Sequence, residues 1–153
     1  MSDDRELRVN KIRNGTVIDH VRGGQALNVL TILDIDGSAG ESVSIGMNVP
    51  SDRLPAKDIV KVEDRELSQE EVDVLSLIAS DATINIVREY EVVEKHRVSR
   101  PDHVTGILEC PNANCITSAD EPITSRFAVL EDGVRCTYCG RIVRSDIASL
   151  IER

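Results

Sequence analysis

Four cysteines are the residues of this chain whose type and spacing most directly predict chemistry. Cys110 and Cys115 are separated by four residues, Cys136 and Cys139 by two, and twenty residues lie between the two pairs. Two tight turns of this kind can each direct two sulfurs inward, and four thiolates suit tetrahedral Zn²⁺ at a Zn–S distance of about 2.3 Å. The sequence therefore predicts one zinc site made of all four cysteines.

Disulfides, buried free thiols and iron are the alternatives for these cysteines. Disulfides are disfavoured because residues 1–8 are charged, unlike a secretory signal, which predicts a cytoplasmic protein with reduced thiols. Four thiolates leave no open coordination position, so the predicted zinc is structural and not catalytic. Residues 101–153 contain a single phenylalanine, and we expect this part to unfold without metal.

Charge and composition argue against several classes of partner. The formal net charge is −9, whereas proteins that bind phosphate backbones present the opposite charge, and only 2% of residues are aromatic and able to stack on bases. No apolar run approaches the roughly 20 residues that span a bilayer, so no membrane partner is expected. A zinc-ribbon module that binds nucleic acid or the transcription machinery is the main alternative function, because paired cysteine turns are widespread there.

Upstream of the cysteines, the apolar pattern alternates between strand and helix periods. Strand-like runs cover Leu7 with Val9 and residues 16–21, 43–49, 59–62, 82–87 and 90–98. Residues 26, 27, 30 and 33 recur at helical spacing, and Ser68 with Glu71 forms a capping box before a second helix that reaches residue 79. The order strand, helix, two strands, helix, strand predicts a ferredoxin-like α+β sandwich, a sheet with two helices.

A boundary is predicted near residue 100. Residues 99–102 lack apolar side chains and include a proline, which separates an N-terminal domain, residues 1–100, from a C-terminal domain, residues 101–153. Short β-branched runs at residues 105–108, 127–130 and 133–136 predict a small all-β, zinc-ribbon-like unit. Ser145 is the expected N-cap of a closing helical turn, and Gly140 is expected to give the last cysteine turn a permissive backbone.

Polar side chains interrupt the N-terminal strands, without a glycine-rich phosphate loop or a catalytic motif. They are Asp19, His20, Lys61 and Lys95. Taken singly, each is explained by a solvated strand face or a local hydrogen bond. Taken together, the two ammonium groups would neutralise phosphates and Asp19 would accept from ribose hydroxyls. An enzyme with Asp19 and His20 as acid and base is a further alternative, but adjacent strand residues point to opposite faces, which disfavours a dyad.

Six short motifs occur in order along nearly the whole sequence. They are residues 15–20 (GTVIDH), 45–51 (IGMNVPS), 57–61 (KDIVK), 82–85 (ATIN), 90–93 (YEVV) and 110–115 (CPNANC). In type and order they resemble the regulatory chain of aspartate carbamoyltransferase. The resemblance implies a non-catalytic subunit with an allosteric domain that binds CTP or ATP, and a zinc domain that docks on the catalytic chain. It also implies pairing of regulatory chains, for which residues 26–33 and 43–49 are candidates.

The resemblance also implies roles for particular residues. Asp19 and Lys61 would lie near the ribose, with His20 and Lys95 on the phosphates. The residues around the base and ribose would be Ile12, Val17, Asn85, Val87, Tyr90 and Val92.

The same resemblance implies a surface for the catalytic chain. Asn112 and Asn114, between the first two zinc ligands, would face that chain. Two positions depart from the family pattern. Leu130 stands where a cation often follows Phe-Ala-Val, and Gly140 replaces an acidic residue after the last cysteine. Both departures would remove polar contacts from the docking surface.

Overall fold

The computed structural model describes residues 11–50, 52, 55–118 and 123–151. Backbone contacts divide the chain into two compact units, residues 1–99 and residues 100–153. The strand predicted at Leu7 and Val9 lies outside the described residues. No helix within the described ranges is both long enough and apolar enough to cross a bilayer.

The N-terminal unit is a five-stranded antiparallel sheet with two helical segments. Its strands are β1 (Gly15–Arg22), β2 (Val43–Val49), β3 (Lys57–Glu63), β4 (Thr83–Arg88) and β5 (Glu91–Arg97), in the order β2-β3-β1-β4-β5. Helix α1 (Ala26–Ile32) connects β1 to β2, and α2 (Gln69–Asp73) continues into a 3-10 turn, Val74–Leu77, before β4. The order β2-β3-β1-β4 is that of a ferredoxin-like sheet, and β5 extends it as a hairpin. The predicted α+β class is confirmed.

Alternation along the central strands decides which face of the sheet is the core. On β3, Val60 and Val62 are fully buried while Lys61 between them is partly exposed. Ile18 of β1 and Ile84 of β4 continue the buried set, because successive strand residues point to opposite faces. One face is therefore aliphatic, and the other is open and carries polar side chains.

A buried carboxylate joins three parts of this unit. Asp58 is fully buried; its Oδ2 accepts hydrogen bonds from the backbone N–H groups of Gly24 and Ala26, and its Oδ1 accepts from that of Asn48, each at 2.9 Å. The first two bonds serve the start of α1, whose N-cap residue Gln25 makes no side-chain cap. The third fixes the irregular part of the edge strand β2.

Both helices begin where the sequence predicts, but α1 presents a different side to the core. At α2 the Ser68 hydroxyl accepts from the Glu71 N–H at 3.2 Å, and the Glu71 carboxylate accepts from the Ser68 N–H at 3.1 Å. The predicted capping box is thus confirmed. In α1, Val29 is fully buried and Leu27 is 60% exposed, so the predicted place of Leu27 on the apolar face is wrong.

The C-terminal unit is a small antiparallel sheet with the order β6-β7-β8-β9. Its strands are β6 (His103–Thr105), β7 (Arg126–Val129), β8 (Val134–Cys136) and β9 (Ile142–Val143), with 3-10 turns at Ile116–Ser118 and Ile147–Leu150. Phe127, Leu108 and Val134 are fully buried. The predicted small all-β unit is confirmed.

Two local predictions in this unit need correction, and one strand was not predicted. The strand predicted over residues 105–108 ends at Thr105, because Gly106 adopts a φ of +71° and Leu108 instead bridges to Ile151. The closing turn is of the 3-10 type, and Asp146 occupies its N-cap position, so Ser145 is not the cap. The sequence does not predict β9, which is only two residues long.

Candidate metal centre and open sheet face

The four cysteine sulfurs converge at one point in the C-terminal unit. All four lie within 4.8 Å of one another; the Cys110 and Cys139 sulfurs are 3.6 Å apart, and the Cys115 and Cys136 sulfurs are 3.7 Å apart. A tetrahedral zinc with Zn–S bonds of about 2.3 Å requires sulfurs about 3.8 Å apart. The residues therefore fit one zinc ion.

The same distances exclude the disulfide alternative. A disulfide needs an S–S distance of about 2.05 Å, and all four cysteines are free thiols. The ligand set is complete without water or substrate, which makes the site structural. The predicted zinc site of four cysteines is confirmed.

Backbone hydrogen bonds shape both cysteine turns. In the first turn, the Cys115 N–H donates to the Asn112 carbonyl at 3.0 Å. In the second, the Gly140 N–H donates to the Cys136 carbonyl at 2.9 Å. Gly140 has a φ of +80°, which glycine adopts readily, as predicted. The Glu109 N–H donates to the Leu150 carbonyl at 2.7 Å, which ties the approach to the first turn to the closing 3-10 turn.

The free thiols differ widely in proton affinity. Burial raises the pKa of the Cys110 thiol to about 12 and also raises the pKa of Cys136. The backbone N–H of Arg141 lowers the pKa of Cys139 to about 6, and the Thr117 hydroxyl lowers the pKa of Cys115. Cys139 therefore offers the most readily formed thiolate, while the buried thiols must lose protons on metal binding.

The two asparagines predicted to face a partner have different environments. The Asn112 side-chain oxygen accepts from the Asn114 N–H at 3.0 Å, and the Asn112 carbonyl accepts from the Ser118 hydroxyl at 3.0 Å. Asn112 is partly buried, whereas Asn114 is exposed. Asn112 thus shapes the first turn, and Asn114 has the more accessible side chain.

Cross-strand pairing aligns four of the predicted nucleotide residues on the open face of the N-terminal sheet. Lys61 of β3 pairs with Val17 of β1. Val17 pairs with Asn85 of β4, which pairs with Lys95 of β5. Paired residues share a face and strands lie about 4.8 Å apart, so the two lysine backbones are about 14 Å apart with Val17 and Asn85 between them. We call this set the central row.

Apolar predicted residues lie toward the β4–β5 turn. Val87 pairs with Val92 although Asn85 pairs with Lys95, so β5 contains one extra residue, Val93, in a bulge. Simple alternation from Lys95 would put Val92 on the opposite face of the sheet. The bulge returns Val92 to the face of the central row. Val87 is buried and Val92 is 49% exposed.

The β4–β5 turn itself places Tyr90. Glu89 and Tyr90 have φ values of +51° and +68°, so β5 begins at Glu91 and not at residue 90 as predicted. The Tyr90 N–H donates to the Arg13 carbonyl at 2.9 Å, which brings the segment with the buried Ile12 beside the turn. The Tyr90 side chain is 62% exposed. Positive φ at both residues is the conformation that a tight two-residue hairpin loop favours, because Arg88 and Glu91 are already paired.

Asp19 and His20 lie at the other end of the open face. His20 has a φ of +57° and marks a bulge in β1, and its Nδ1 lies 2.9 Å from the Thr83 hydroxyl. Thr83 is the cross-strand partner of Asp19. The prediction that Asp19 and His20 point to opposite faces is therefore wrong, because the bulge brings the histidine ring back to the face of Asp19.

Lys57 belongs to the same end and is not among the site residues predicted from the sequence. Its ammonium lies 3.0 Å from the Asp19 carboxylate, and both side chains are largely shielded from solvent. The sequence signal that could have identified Lys57 is the strand period in residues 57–61. This period puts Lys57 and Lys61 on one face and Asp58 on the other. Three of the four lysines of the chain, these two and Lys95, thus lie on the open face.

Comparison with known proteins agrees with this arrangement. Residues 7–99 match the family described as aspartate carbamoyltransferase regulatory chain, allosteric domain, and residues 102–149 match its metal binding domain. The aspartate carbamoyltransferase regulatory chain of Natronomonas pharaonis is 70% identical over 148 residues, which are 97% of each chain. That of Haloarcula marismortui is 69% identical over 152 residues, 99% of this chain and 98% of the relative. The resemblance found in the sequence is confirmed, and the chain belongs to the aspartate carbamoyltransferase regulatory chain family as a non-catalytic subunit with an allosteric and a metal-binding domain.

Proposed function

We propose that this regulatory chain binds CTP and ATP on the open face of its N-terminal domain, residues 1–100, in the cytoplasm. Its C-terminal zinc domain, residues 101–153, docks on the catalytic chain of aspartate carbamoyltransferase. The observation that carries the nucleotide proposal is the central row, in which Lys61, Val17, Asn85 and Lys95 are direct cross-strand neighbours.

The chemistry along the open face matches the chemistry along a nucleotide. At the β4–β5 turn, Tyr90 and Val92 supply exposed apolar surface for a base. At the opposite end, His20 and the ion pair of Asp19 with Lys57 supply groups for ribose hydroxyls and phosphates. Base, ribose and phosphates would follow this order along the face.

Electrostatics favour an anionic ligand on this face. The chain carries a net charge of −9, yet three of its four lysines, one of them paired with Asp19, lie on one side of one sheet. A local group of cations on an acidic protein attracts a compact polyanion such as a triphosphate more readily than an extended nucleic acid, which also meets the surrounding negative charge. This argues for a nucleotide effector and against the zinc-ribbon alternative.

The proposed regulation is a shift between quaternary states. A nucleotide that binds one state more tightly favours that state, and its leverage is limited to the difference between the two affinities. Such couplings are typically about 1–3 kcal/mol, so the affinity of the catalytic chain for aspartate would be modulated and not switched off. The pathway regulated in this way would be pyrimidine biosynthesis.

Removal of the Lys95 ammonium tests the nucleotide site. A hydrogen bond to a charged group contributes about 1.5–3 kcal/mol, so Lys95→Ala should weaken CTP binding about 10- to 100-fold in calorimetric titrations at fixed salt. Arg144→Ala is the control, because it removes one exposed cation from the C-terminal unit and changes the net charge equally. CTP affinity that is equal in the two variants would contradict the site assignment.

The docking proposal relies on the metal centre. The exposed Asn114 sits on the turn between the first two ligands, so loss of metal would remove the surface that carries it while leaving the open sheet face intact. Size exclusion with the catalytic chain should give a large complex that disappears on chelation. A complex that persists after complete zinc removal would exclude this surface.

Self-association of regulatory chains is proposed through the edge strand β2. Among the residues that the structure describes, only β3 pairs with β2, and Ile45 and Met47 are 37% and 45% exposed on it. Exposed apolar side chains on an open edge are a liability in a monomer unless a partner covers them. Met47→Asp should therefore shift the chain from dimer to monomer in sedimentation velocity, and an unchanged dimer would place the interface elsewhere.

A further inference from the structure

A threonine hydroxyl contacts one of the zinc ligands directly. Thr117 lies in the 3-10 turn that follows the first cysteine pair, and its Oγ1 is 3.2 Å from the Cys115 sulfur. Cys115 is only 3% exposed, so bulk water has little access to the residue. Neither the family assignment nor the proposed nucleotide site gives this threonine a role.

The direction of this hydrogen bond is fixed once Cys115 is a ligand. A ligating cysteine is a thiolate, which has no proton to donate, whereas a threonine hydroxyl has one. We propose that Thr117 is a positioning residue of the metal centre, whose hydroxyl donates to the Cys115 sulfur and holds that ligand in the geometry that zinc requires.

The surrounding turn holds Thr117 in place for this contact. The Ser118 N–H donates to the Cys115 carbonyl at 2.8 Å, and the Ser118 hydroxyl donates to the Asn112 carbonyl at 3.0 Å. Ser118 thus closes the backbone of the first turn, and the hydroxyl of Thr117 remains directed at the sulfur. Adjacent hydroxyl residues therefore serve two different acceptors.

The second cysteine turn provides an internal comparison. Thr137 directly follows Cys136, but its hydroxyl donates to the Arg126 carbonyl at 3.1 Å and not to a sulfur. Within the described ranges, the Thr117 contact is the one hydrogen bond from a side-chain hydroxyl to a cysteine sulfur. Substitutions of the two threonines therefore distinguish the loss of a contact to a zinc ligand from the loss of a contact to the backbone.

Loss of the Thr117 hydroxyl should lower the affinity of the site for zinc. Groups that hydrogen-bond to metal ligands orient them, and their removal commonly lowers metal affinity about 10- to 100-fold. Water has little access to the shielded Cys115, so it is poorly placed to replace the missing donor. Thr117→Val keeps the branched shape and removes only the donor, while Thr117→Ser keeps the donor and removes a methyl group.

Two measurements on the full-length chain test the proposal. The first is competition between the protein and a chelator for zinc, in which Thr117→Val should bind about 10-fold more weakly and Thr117→Ser should resemble the parent chain. The second is the sulfur-to-cobalt charge-transfer absorption of the Co²⁺-substituted chain. The Thr117 backbone N–H also bonds the Cys115 sulfur and remains in Thr117→Val. A thiolate that loses one of its hydrogen-bond donors gives up charge more easily, so this band should move to lower energy in Thr117→Val alone.

Thr137→Val is the matched control. It should leave the cobalt band unchanged, because its hydroxyl contacts a carbonyl. An unchanged band and unchanged zinc affinity in Thr117→Val would overturn the proposal, as would equal changes in Thr117→Val and Thr137→Val. If Thr117→Val failed to take up metal, a cobalt band in Thr117→Ala at the energy of the parent chain would overturn it equally. None of these outcomes depends on nucleotide binding.

Discussion

The two units of this chain are stabilised by different means. The N-terminal unit buries a set of aliphatic side chains completely: Ile18, Val21, Val29, Val60, Val62, Val72, Leu75 and Ile84. In the C-terminal unit the fully buried side chains of comparable size are Phe127, Leu108 and Val134, and four cysteine sulfurs lie beside them. A unit of this size buries too little apolar surface to fold securely, and a structural metal supplies the missing free energy.

This difference divides the functions as well. The open sheet face depends on strand register and bulges within an aliphatic framework, which needs no metal. The turn that carries Asn112 and Asn114 depends on two zinc ligands that flank it. A substitution or metal loss that unfolds one unit should therefore leave the other folded.

Metal removal should have the largest effect. Structural zinc contributes on the order of 10–16 kcal/mol of apparent folding free energy in small zinc domains, so chelation should unfold the C-terminal unit. Amide hydrogen exchange should then show lost protection in β7 and β8 and full protection in β1, β3 and β4. Cys139→Ser should give the same pattern without a chelator.

Two results would contradict the independence of the two units. Retained protection in β7 and β8 after complete metal removal would mean that the apolar core around Phe127 suffices. Lost protection in β1 and β4 would mean that the N-terminal unit requires its neighbour to fold.

Removal of the Asp58 carboxylate should have the next largest effect, confined to the N-terminal unit. Asp58→Ala leaves the N–H groups of Gly24, Ala26 and Asn48 without their acceptor. An unsatisfied buried polar group costs about 1–3 kcal/mol, so a loss on the order of 3–5 kcal/mol in the free energy of unfolding is expected from urea titration.

Asp36→Ala is the control for Asp58→Ala. Asp36 is exposed, and its carboxylate accepts hydrogen bonds from the backbone and the side chain of the nearby Ser38, so its removal should alter the stability very little. Zinc affinity should be unchanged in both variants, since Asp58 and Asp36 belong to the other unit. A loss for Asp58→Ala no larger than for Asp36→Ala would show that water replaces the carboxylate.

The sequence predicted the features that rest on local or strongly periodic signals. The two pairs of cysteines specify the metal site because ligand chemistry fixes both the residue type and the spacing. Ser68 and Glu71 predict a helix start because a capping box is complete within four residues. The β-branched run at residues 59–62 predicts a strand there, because such side chains favour strands, and it lies within β3.

Bulges and pairings between distant strands account for what the sequence did not reveal. Nothing near His20 indicates the extra residue that turns its ring toward Thr83. The ion pair of Lys57 with Asp19 joins strands that are far apart in sequence. Leu27 is exposed because α1 buries its other side, with Ala26, Val29 and Ile32, and helical spacing alone leaves that choice open.

The smallest predicted effect is a pH dependence that acts on the N-terminal unit through Glu71. Burial opposes ionisation of Glu71, but hydrogen bonds from the Ser68 N–H and the Arg65 guanidinium outweigh it, so the pKa of Glu71 lies below its ordinary value. A carboxyl with a lowered pKa stabilises the folded state above the unfolded-state pKa of about 4.5, and this contribution is lost as the pH falls through the lower folded-state pKa.

Glu71→Gln isolates this contribution, because glutamine still accepts the hydrogen bond of the capping box but does not ionise. Glu71 is 41% exposed, so solvent screening limits the difference in unfolding free energy to about 0.5 kcal/mol at neutral pH. The parent chain should be the more stable one above pH 4.5, and the difference should shrink as the solution is made more acidic. Amide exchange of β3 and β4 between pH 7 and about pH 3.5 measures it. A difference that stays constant with pH would assign the effect to packing and not to the charge of Glu71.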